Sequence, residues 1–504
     1  MGFAALVLAA GLLERCSTLP SLEGRSVSTA LPAGATTRLD RMVAPLVRAH
    51  PGKSGVYTLA DGREALAARL LLAQAAERSL DLQYYIWRGD RSGMLLFDAL
   101  RAAADRGVRV RLLLDDSNTA GLDAALATLD LHPNIEVRLF NPFPLRSSRT
   151  LGYLADFARL NRRMHNKAFI ADGEAAIVGG RNVGDEYFDV TDGVAFVDLD
   201  VLAVGPVVEQ ASRDFDRYWA SGSSYPADRL LPRASAGAID RLARAARRVE
   251  WHPATASYLQ AMRDLPFARD LAAGGLTLEW AAVRMLSDDP AKGLGRMAPQ
   301  ASLRAQLKAI FGDPATELDL VSPYFVPTAA ALDWFAGTAG RGVKIRVLTN
   351  SLEATDVPAV HAGYARWRKP LLAAGISVYE LRREPGRARA KLAAIRGSSG
   401  ASLHAKVVTV DGVRVFIGSL NFDPRSALLN TETGLVIDSP ALARALPAVF
   451  EGAAYEVRLS EAAELYWLER RGAQLLRHDT EPGGSPWRRA GVWLLSRLPI
   501  ESLL

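Results

Sequence analysis

Cysteine is nearly absent from this chain of 504 residues: Cys16 is the only one, which excludes an internal disulfide. Histidine is scarce as well, at seven, and no Cys/His cluster has the spacing of metal ligands, so no metal and no cofactor is expected. A bilayer-spanning apolar run is missing. The candidate at the N-terminus, "FAALVLAAGLL" (Phe3–Leu13), has 11 residues where a span takes about 20. Acidic excess is absent too. The net charge of +6 favours anionic partners such as phosphate esters, acidic lipid surfaces or nucleic acid, without choosing among them. What remains is a globular balance, 49% hydrophobic and 23% charged, with ample material for a core.

Two of the seven histidines sit in matching stretches. "RMHNKAFIADGEAAIVGGRN" (Arg163–Asn182) sets His165, Lys167 and Asp172 in an H-x-K-x-x-x-x-D spacing. "SLHAKVVTVDGVRVFIGSLN" (Ser402–Asn421) does the same with His404, Lys406 and Asp411. Each histidine stands 17 positions before an asparagine, Asn182 or Asn421. Each stretch reads as strand, Asp-Gly turn, strand. Alternation along a strand points the His and Lys of each motif the same way, as suits two groups converging on one anion. The likeness extends upstream: "RGVRVRLLLDD" (Arg106–Asp116) resembles "RGVKIRVLTN" (Arg341–Asn350), and "LDLQYYIW" (Leu80–Trp87) begins like "LDLVSPYFVP" (Leu318–Pro327). The chain reads as two copies of one α/β unit.

Two H-x-K-x-x-x-x-D motifs, each followed by G-G/S-x-N, resemble the phospholipase D superfamily. The phrases "RLFNPF", "RLNRRMHNK", "GGRNVGDEYF", "LSDDPAKG", "HAGYARWRKPLL" and "GSLNFDPRSALLNTE" are similar to the bacterial cardiolipin synthases of the C type, over roughly residues 40–504. The resemblance implies two similar α/β sandwich domains with mixed sheets, related by a pseudo-twofold, with the active site at their interface. It implies phosphatidylglycerol as acceptor and phosphatidylethanolamine or phosphatidylglycerol as phosphatidyl donor.

The residue types suit that chemistry. A phosphodiester repels nucleophiles, so its cleavage needs cations on the non-bridging oxygens, a nucleophile on phosphorus and an acid on the leaving oxygen. Lys167 and Lys406 offer the charges, and Asn182 and Asn421 add amide donors. Gly180 and Ser419 are small enough to let substrate come close. One histidine attacks as neutral imidazole; the other protonates the leaving group and then deprotonates the incoming alcohol. The spacing leaves the roles open. Family analogy makes His165 the nucleophile and His404 the general acid/base.

Each histidine needs a carboxylate to fix its tautomer. Asp172 and Asp411 complete the motifs and belong to the candidate catalytic set, yet their place at the turn gives them a structural part. The superfamily places the partner farther along each half. That assigns Glu432 to the second half and, by aligning "SP" (Ser439-Pro440) with "GP" (Gly205-Pro206), Asp198 to the first, with Asp200 and Glu186 in reserve. Arg162 and Arg163 flank the site as candidates for a second phosphate. Tyr84, Tyr85 and Trp87 line a groove or pack in the core. His361, Arg366, Arg368 and Lys369 form a basic stretch that meets acceptor phosphate or solvent. Asp288 and Asp289 cap a turn before Pro290.

The organisation follows: an N-terminal signal or anchor and linker over 1–40, a first domain over 41–232, a helical connector over 233–300, a second domain over 301–460 and an amphipathic tail over 461–504. The basic loop Leu381–Ser402 reads as a solvated loop or as a cationic lip for anionic lipid. Phe3–Leu13 resembles a signal h-region, and Cys16 with "STLPSLEGRS" resembles the start of a bacterial lipoprotein. Glu14 and Arg15 stand where such proteins carry small residues, so a lipidated Cys16 and a short apolar anchor both stay open. "SPWRRAGVWLLSRLPIESLL" (Ser485–Leu504) mixes tryptophan, leucine and arginine as a helix lying in a lipid interface does. The expected enzyme is therefore a phosphatidyltransferase at a bacterial membrane surface. A hydrolase of the phospholipase D type is the alternative. Nucleic acid is set aside, since a nuclease has no use for apolar ends.

Overall fold

The computed structural model describes residues 19–34, 36–190, 195–383, 402–445 and 453–498. The N-terminal apolar run, Cys16, most of the basic loop before the second motif and residues 499–504 lie outside that set. The first unit supplies strands β1 (Ser54–Leu59), β2 (Ser79–Tyr84), β3 (Arg109–Asp115), β4 (Ile135–Phe140), β5 (Ala168–Ala171), β6 (Ala175–Gly179), β7 (Phe196–Val197), β8 (Asp200–Val204) and β9 (Ser224–Pro226). The second supplies β10 (Glu279–Ser287), β11 (Glu317–Val321), β12 (Lys344–Asn350), β13 (Ser377–Leu381), β14 (Ser402–Leu403), β15 (Lys406–Val410), β16 (Arg414–Gly418), β17 (Thr433–Asp438), β18 (Ala454–Leu459), β19 (Leu465–Arg471) and β20 (Gln474–His478).

The first sheet runs β1-β8-β6-β5-β2-β3-β4-β9. The second runs β10-β17-β16-β15-β11-β12-β13-β18, the same order strand for strand. In each, three neighbours are parallel and the rest antiparallel, so both sheets are mixed. β3 carries a run of three leucines and β12 the apolar Ile345, Val347 and Leu348, and both strands are buried along nearly their whole length because both faces of these central strands are covered. Between β5 and β6, Asp172 and Gly173 take φ of 54° and 72°; between β15 and β16, Asp411 and Gly412 take 54° and 62°. These paired left-handed residues make the tight hairpins that the Asp-Gly sequence predicts.

Three expected boundaries are corrected. The connector over 233–300 does hold three helices, Ala238–Glu250, Pro253–Arg263 and Pro266–Ala273, but it also holds β10. That strand opens the second unit and pairs with β17 as β1 pairs with β8. It also pairs with β1, so the two sheets join at their margins. Its open and half-buried positions include Trp280, Ala282 and Met285 beside Glu279 and Arg284, so its alternation is faint in sequence. Residues 461–504 are not a simple tail. They begin with the β19–β20 hairpin, which extends the second sheet from β18, and only Pro486–Leu495 is the expected helix. Of the segment before residue 40, residues 19–34 are docked on the first unit: the Arg25 guanidinium donates to the carbonyls of Ala220, Ser221 and Ser224 at 2.6–2.7 Å.

The inner faces of the two sheets share one core. Ile170, Val178 and Val201 of the first unit and Val407, Ile417 and Leu435 of the second belong to the same buried cluster. Burial of this kind contributes about 25 cal/mol per Å² of apolar surface and fixes the units face to face. The two motif hairpins lie in this layer, so fusing the cores also brings the motifs together.

Candidate active site

Each motif is stitched to the opposite unit by backbone. The His165 amide donates to the Thr431 carbonyl, and the Thr431 amide to the Arg163 carbonyl, both at 2.9 Å. Across the pseudo-twofold, β14 pairs in parallel with β7, and the His404 amide donates to the Val197 carbonyl at 2.7 Å. Thr431 and Val197 each immediately precede a carboxylate. The imidazoles therefore meet the carboxylates of the other half: His165 Nδ1 lies 2.8 Å from Glu432 Oε2, and His404 Nδ1 lies 2.5 Å from Asp198 Oδ2. Asp198 and Glu432 are the carboxylates expected, but the expected pairing within each half is corrected to a crossed one. Sequence alignment finds equivalent positions; only the packing of the units decides which equivalent faces which.

The carboxylates are held differently. The Ser419 hydroxyl donates to Glu432 Oε2 at 2.5 Å, and the Glu432 amide donates to Asp288 Oδ2 at 2.9 Å. Asp288 is buried and takes Lys292 Nζ at 2.8 Å, so it is a strut beneath Glu432 rather than a surface turn cap. Asp289 does cap the turn, accepting from the Ala291 amide. At Asp198 the neighbour is Gly180, where an added Cβ would stand 2.1 Å from Asp198 Oδ1. The small residues Gly180 and Ser419 thus stand against the carboxylates, Gly180 leaving room for Asp198 and Ser419 bonding Glu432.

Both lysines are buried, and each Nζ donates to the carbonyl of its own motif histidine. Lys406 Nζ also lies 3.0 Å from His404 Nδ1. Burial pushes Lys406 down to about 8 and Lys167 well below its ordinary value. Burial, with the Lys406 charge, brings His404 down to about 4. Burial, with Lys167 and Lys406, holds His165 well below its usual range. The carboxylates diverge. Burial raises Asp198, but the charges of His404, Lys406 and Arg181 outweigh it and hold the carboxyl below the ordinary range. Burial carries Glu432 up to about 7 in spite of Lys167.

Of the asparagines, Asn182 is engaged, accepting from the Ile86 amide and donating to the Tyr187 hydroxyl. Asn421 is buried, with an Oδ1 that has no hydrogen-bond partner. Aromatic rings wall both histidines: Tyr85 stands edge-on to His165 at 4.9 Å, and Tyr187 to His404 at 5.2 Å. Tyr84 instead bonds Arg69, and Trp87 stacks on Phe97 at 4.7 Å, so both belong to the core.

Several candidates sit elsewhere. Asp172 accepts from the amides of Glu77, Arg78 and Ser79, and Asp411 from those of Ala315, Thr316 and Glu317. Neither bonds a histidine; each clamps its hairpin to the start of β2 or β11. Arg163 is buried, donates to the Asn141 carbonyl and lies 3.5 Å from Asp115, so it is structural. Arg162 reaches the Leu428 carbonyl at 3.2 Å, on the rim. The reserves are spent: Asp200 pairs with Arg69 at 2.9 Å and Glu186 with Arg88 at 3.5 Å. His361 and Arg368 close on Glu481, and Arg368 also on Glu380, so this pair is internal wiring. Lys369 is exposed, and Arg366 lies over the Trp367 ring.

Two positioning residues went unnoticed in sequence. Asp115 accepts from the Met164 amide at 2.7 Å, and Asn350 brackets Leu403 with bonds of 2.8 and 3.0 Å. Each locks the residue before a motif histidine. Their signal was present, since they end the matching strands "RVRLLLD" and "KIRVLTN".

Paired His-Lys motifs facing each other across two fused α/β units define a phospholipase D-like enzyme. Comparison with known proteins narrows this. The family described as "Cardiolipin synthase, PLD-like domain" matches twice, at residues 70–219 and 307–453. Cardiolipin synthase C of Escherichia coli (strain K12) is 50% identical over 476 residues, 93% of this chain and 100% of that protein. Cardiolipin synthase B of Shigella flexneri is 26% identical over 382 residues, 76% of each chain. The chain belongs to the cardiolipin synthase family of phospholipase D-like phosphatidyltransferases. Among solved structures, phosphatidylserine synthase of Haemophilus influenzae Rd KW20 shares the fold, with a TM-score of 0.58 and 14% identity over 93% of this chain and 100% of that one.

Proposed function

We propose that this enzyme makes cardiolipin by moving a phosphatidyl group through His165 to the free hydroxyl of phosphatidylglycerol. The crossed dyads carry the reading: each histidine has one nitrogen fixed by a buried carboxylate, which leaves Nε2 for chemistry. In the first step His165 Nε2 attacks phosphorus, the bond from phosphorus to the headgroup oxygen breaks, and His404 gives that oxygen a proton. In the second, neutral His404 takes the proton of the phosphatidylglycerol hydroxyl, whose oxygen displaces His165. Both imidazoles are held below their usual range, so the neutral form that a nucleophile needs is present at His165, and at His404 as well before substrate arrives. The ionised Asp198 supports the other role, because it stabilises an imidazolium at His404. An arriving phosphodiester anion offsets the two ammonium charges that hold His404 down.

A lipid interface lets an alcohol win over water, by excluding one and concentrating the other. The helix Pro486–Leu495 supports contact with such a surface. Val492 packs beside Leu352 and Ala362, while Trp487 is 87% exposed and Trp493 and Leu494 also face solvent. No helix among the described residues is long and apolar enough to cross a membrane. Phosphatidylethanolamine and phosphatidylglycerol are both donors in this reading. The test is product analysis by mass spectrometry with vesicles of defined headgroup. Mixed phosphatidylglycerol and phosphatidylethanolamine should give cardiolipin with little phosphatidic acid, and omitting phosphatidylglycerol should abolish cardiolipin. Phosphatidic acid as main product from intact mixed vesicles at neutral pH would make the enzyme a hydrolase.

A further inference from the structure

A cavity of about 890 Å³ opens in the second unit between the helices Leu303–Phe311 and Ala329–Gly340 and the outer face of β11 and β15. Its walls are apolar, with Leu307, Leu318, Leu320, Val408 and Phe335 among them. It divides the outer core of this unit into two separate clusters, one around Phe335 and one around Leu303 and Phe416. Asn421, the motif asparagine whose buried Oδ1 has no partner, belongs to the lining. Arg162, Arg304 and Lys308 stand in the lining beside the exposed side chains of Trp334 and Leu428. The space is apolar inside, cationic at the rim, and runs up to a phosphate-binding motif.

The first unit fills the same place. Leu80 and Leu318 open matching strands; eleven positions before them stand Arg69 and Leu307, and seventeen after them Phe97 and Phe335. Arg69 is buried and bonds Tyr84 and Asp200, and Phe97 is sealed beneath Trp87. Leu307 has no such tethers and borders open space.

We propose that this cavity holds one acyl chain of the phospholipid whose phosphodiester lies at the paired histidines. The inference rests on the proposed phosphatidyl transfer and adds where the lipid's tail goes. A chain leaving the phosphate past Asn421 enters apolar walls, with the exposed side chains of Trp334 and Leu428 also in the lining. A volume within the range of about 300–1,000 Å³ typical of ligand pockets is ample for one chain.

The test uses full-length enzyme with water-soluble phosphatidylglycerols below their micelle concentrations. Burial in the cavity should raise kcat/KM about fourfold per methylene, or about 15-fold from dibutanoyl to dihexanoyl lipid when one chain enters. Ala331→Trp and Leu307→Phe, checked for native melting, should each shrink that ratio to below about threefold. A phosphatidylglycerol carrying a terminal diazirine should label the segments 303–311 and 329–340 on irradiation. An undiminished chain-length ratio in both folded variants, or label confined elsewhere, would overturn the assignment. Failure of the wild type to form cardiolipin from long-chain vesicles would instead strike the proposed reaction.

Discussion

The two units share strand order, hairpins and a His-Lys-Asn set, yet their outer layers differ. In the first, the helices Gly62–Ala75 and Arg91–Asp105 are buried under the three helices between residues 238 and 273, and one large cluster fills the layer. In the second, the matching helices face solvent along much of their length and enclose a cavity. The carboxylate supports differ as well: Asp198 packs on Gly180, whereas Glu432 takes a hydroxyl from Ser419 and rests on Asp288. Duplication explains why the chemistry comes in pairs. Divergence explains why the two carboxylates are held differently and why the space filled by Arg69 and Phe97 in the first unit is open beside Leu307 and Phe335 in the second.

The comparison breaks first at the histidines. His165→Ala and His404→Ala should each cost roughly 10,000-fold in turnover, because nucleophile and acid act as a unit. A phosphodiester with a nitrophenolate leaving group separates them. With it, His404→Ala should still accumulate phosphoenzyme and His165→Ala should form none, read by intact-protein mass spectrometry. Phosphoenzyme in the His165 variant alone would exchange the roles. Next come the carboxylates: Glu432→Gln and Asp198→Asn should keep the fold and lower kcat by about 100- to 10,000-fold, as loss of a tautomer-fixing acid does. Retention of more than a tenth of the rate by either would remove it from the mechanism.

The lysines sharpen the difference by pH. Lys406 is charged below about 8 and neutral above it, so kcat/KM should fall up to about tenfold per unit as pH rises past that value. Lys406→Arg, charged throughout, should remove this alkaline limb whatever its absolute rate. A limb that persists unchanged would assign the titration to another group. The turn aspartates come next. Asp172 is 1% exposed, and Asp172→Ala should destabilise by about 3 kcal/mol through amides left without an acceptor. Asp411 is half-buried, and its loss should lower the melting temperature less. Its folded pKa is depressed by those amides, so its contribution is present above the ordinary carboxyl range and fades as pH falls through the depressed value. Smallest is the surface effect: Trp487→Ala with Trp493→Ala should weaken binding to anionic vesicles about tenfold and leave cleavage of a soluble phosphodiester intact.

Much of this was legible in the chain. Repetition of His, Lys, Asp and Asn at fixed spacing gave the motif hairpins, and the Asp-Gly pairs gave their turns, because such signals are local. The family resemblance pointed to Glu432 and alignment of the halves then to Asp198, but their crossing was not legible, since it depends on how two cores fuse. Gly180 and Ser419 were read as room for substrate when their neighbours are carboxylates, a contact between residues 13 or more positions apart. Arg163 follows the same lesson: a charge beside a site looks functional in sequence until its burial is seen. β10 escaped because apolar Trp280, Ala282 and Met285 on its open or half-buried positions blur the alternation. Asp115 and Asn350 carry a local signal as well, since they end the matching strands β3 and β12.

The crossed pairing is the claim on which the roles, the asymmetry and the use of both halves depend. Side-chain ¹⁵N resonances of histidine, assigned with His165 and His404 variants, test it directly. Glu432→Gln should shift the tautomer and titration of His165 and leave His404 in place, and Asp198→Asn should do the reverse. If Glu432→Gln moved His404 while His165 stayed unchanged, the carboxylates would pair within their own halves and the account would be wrong.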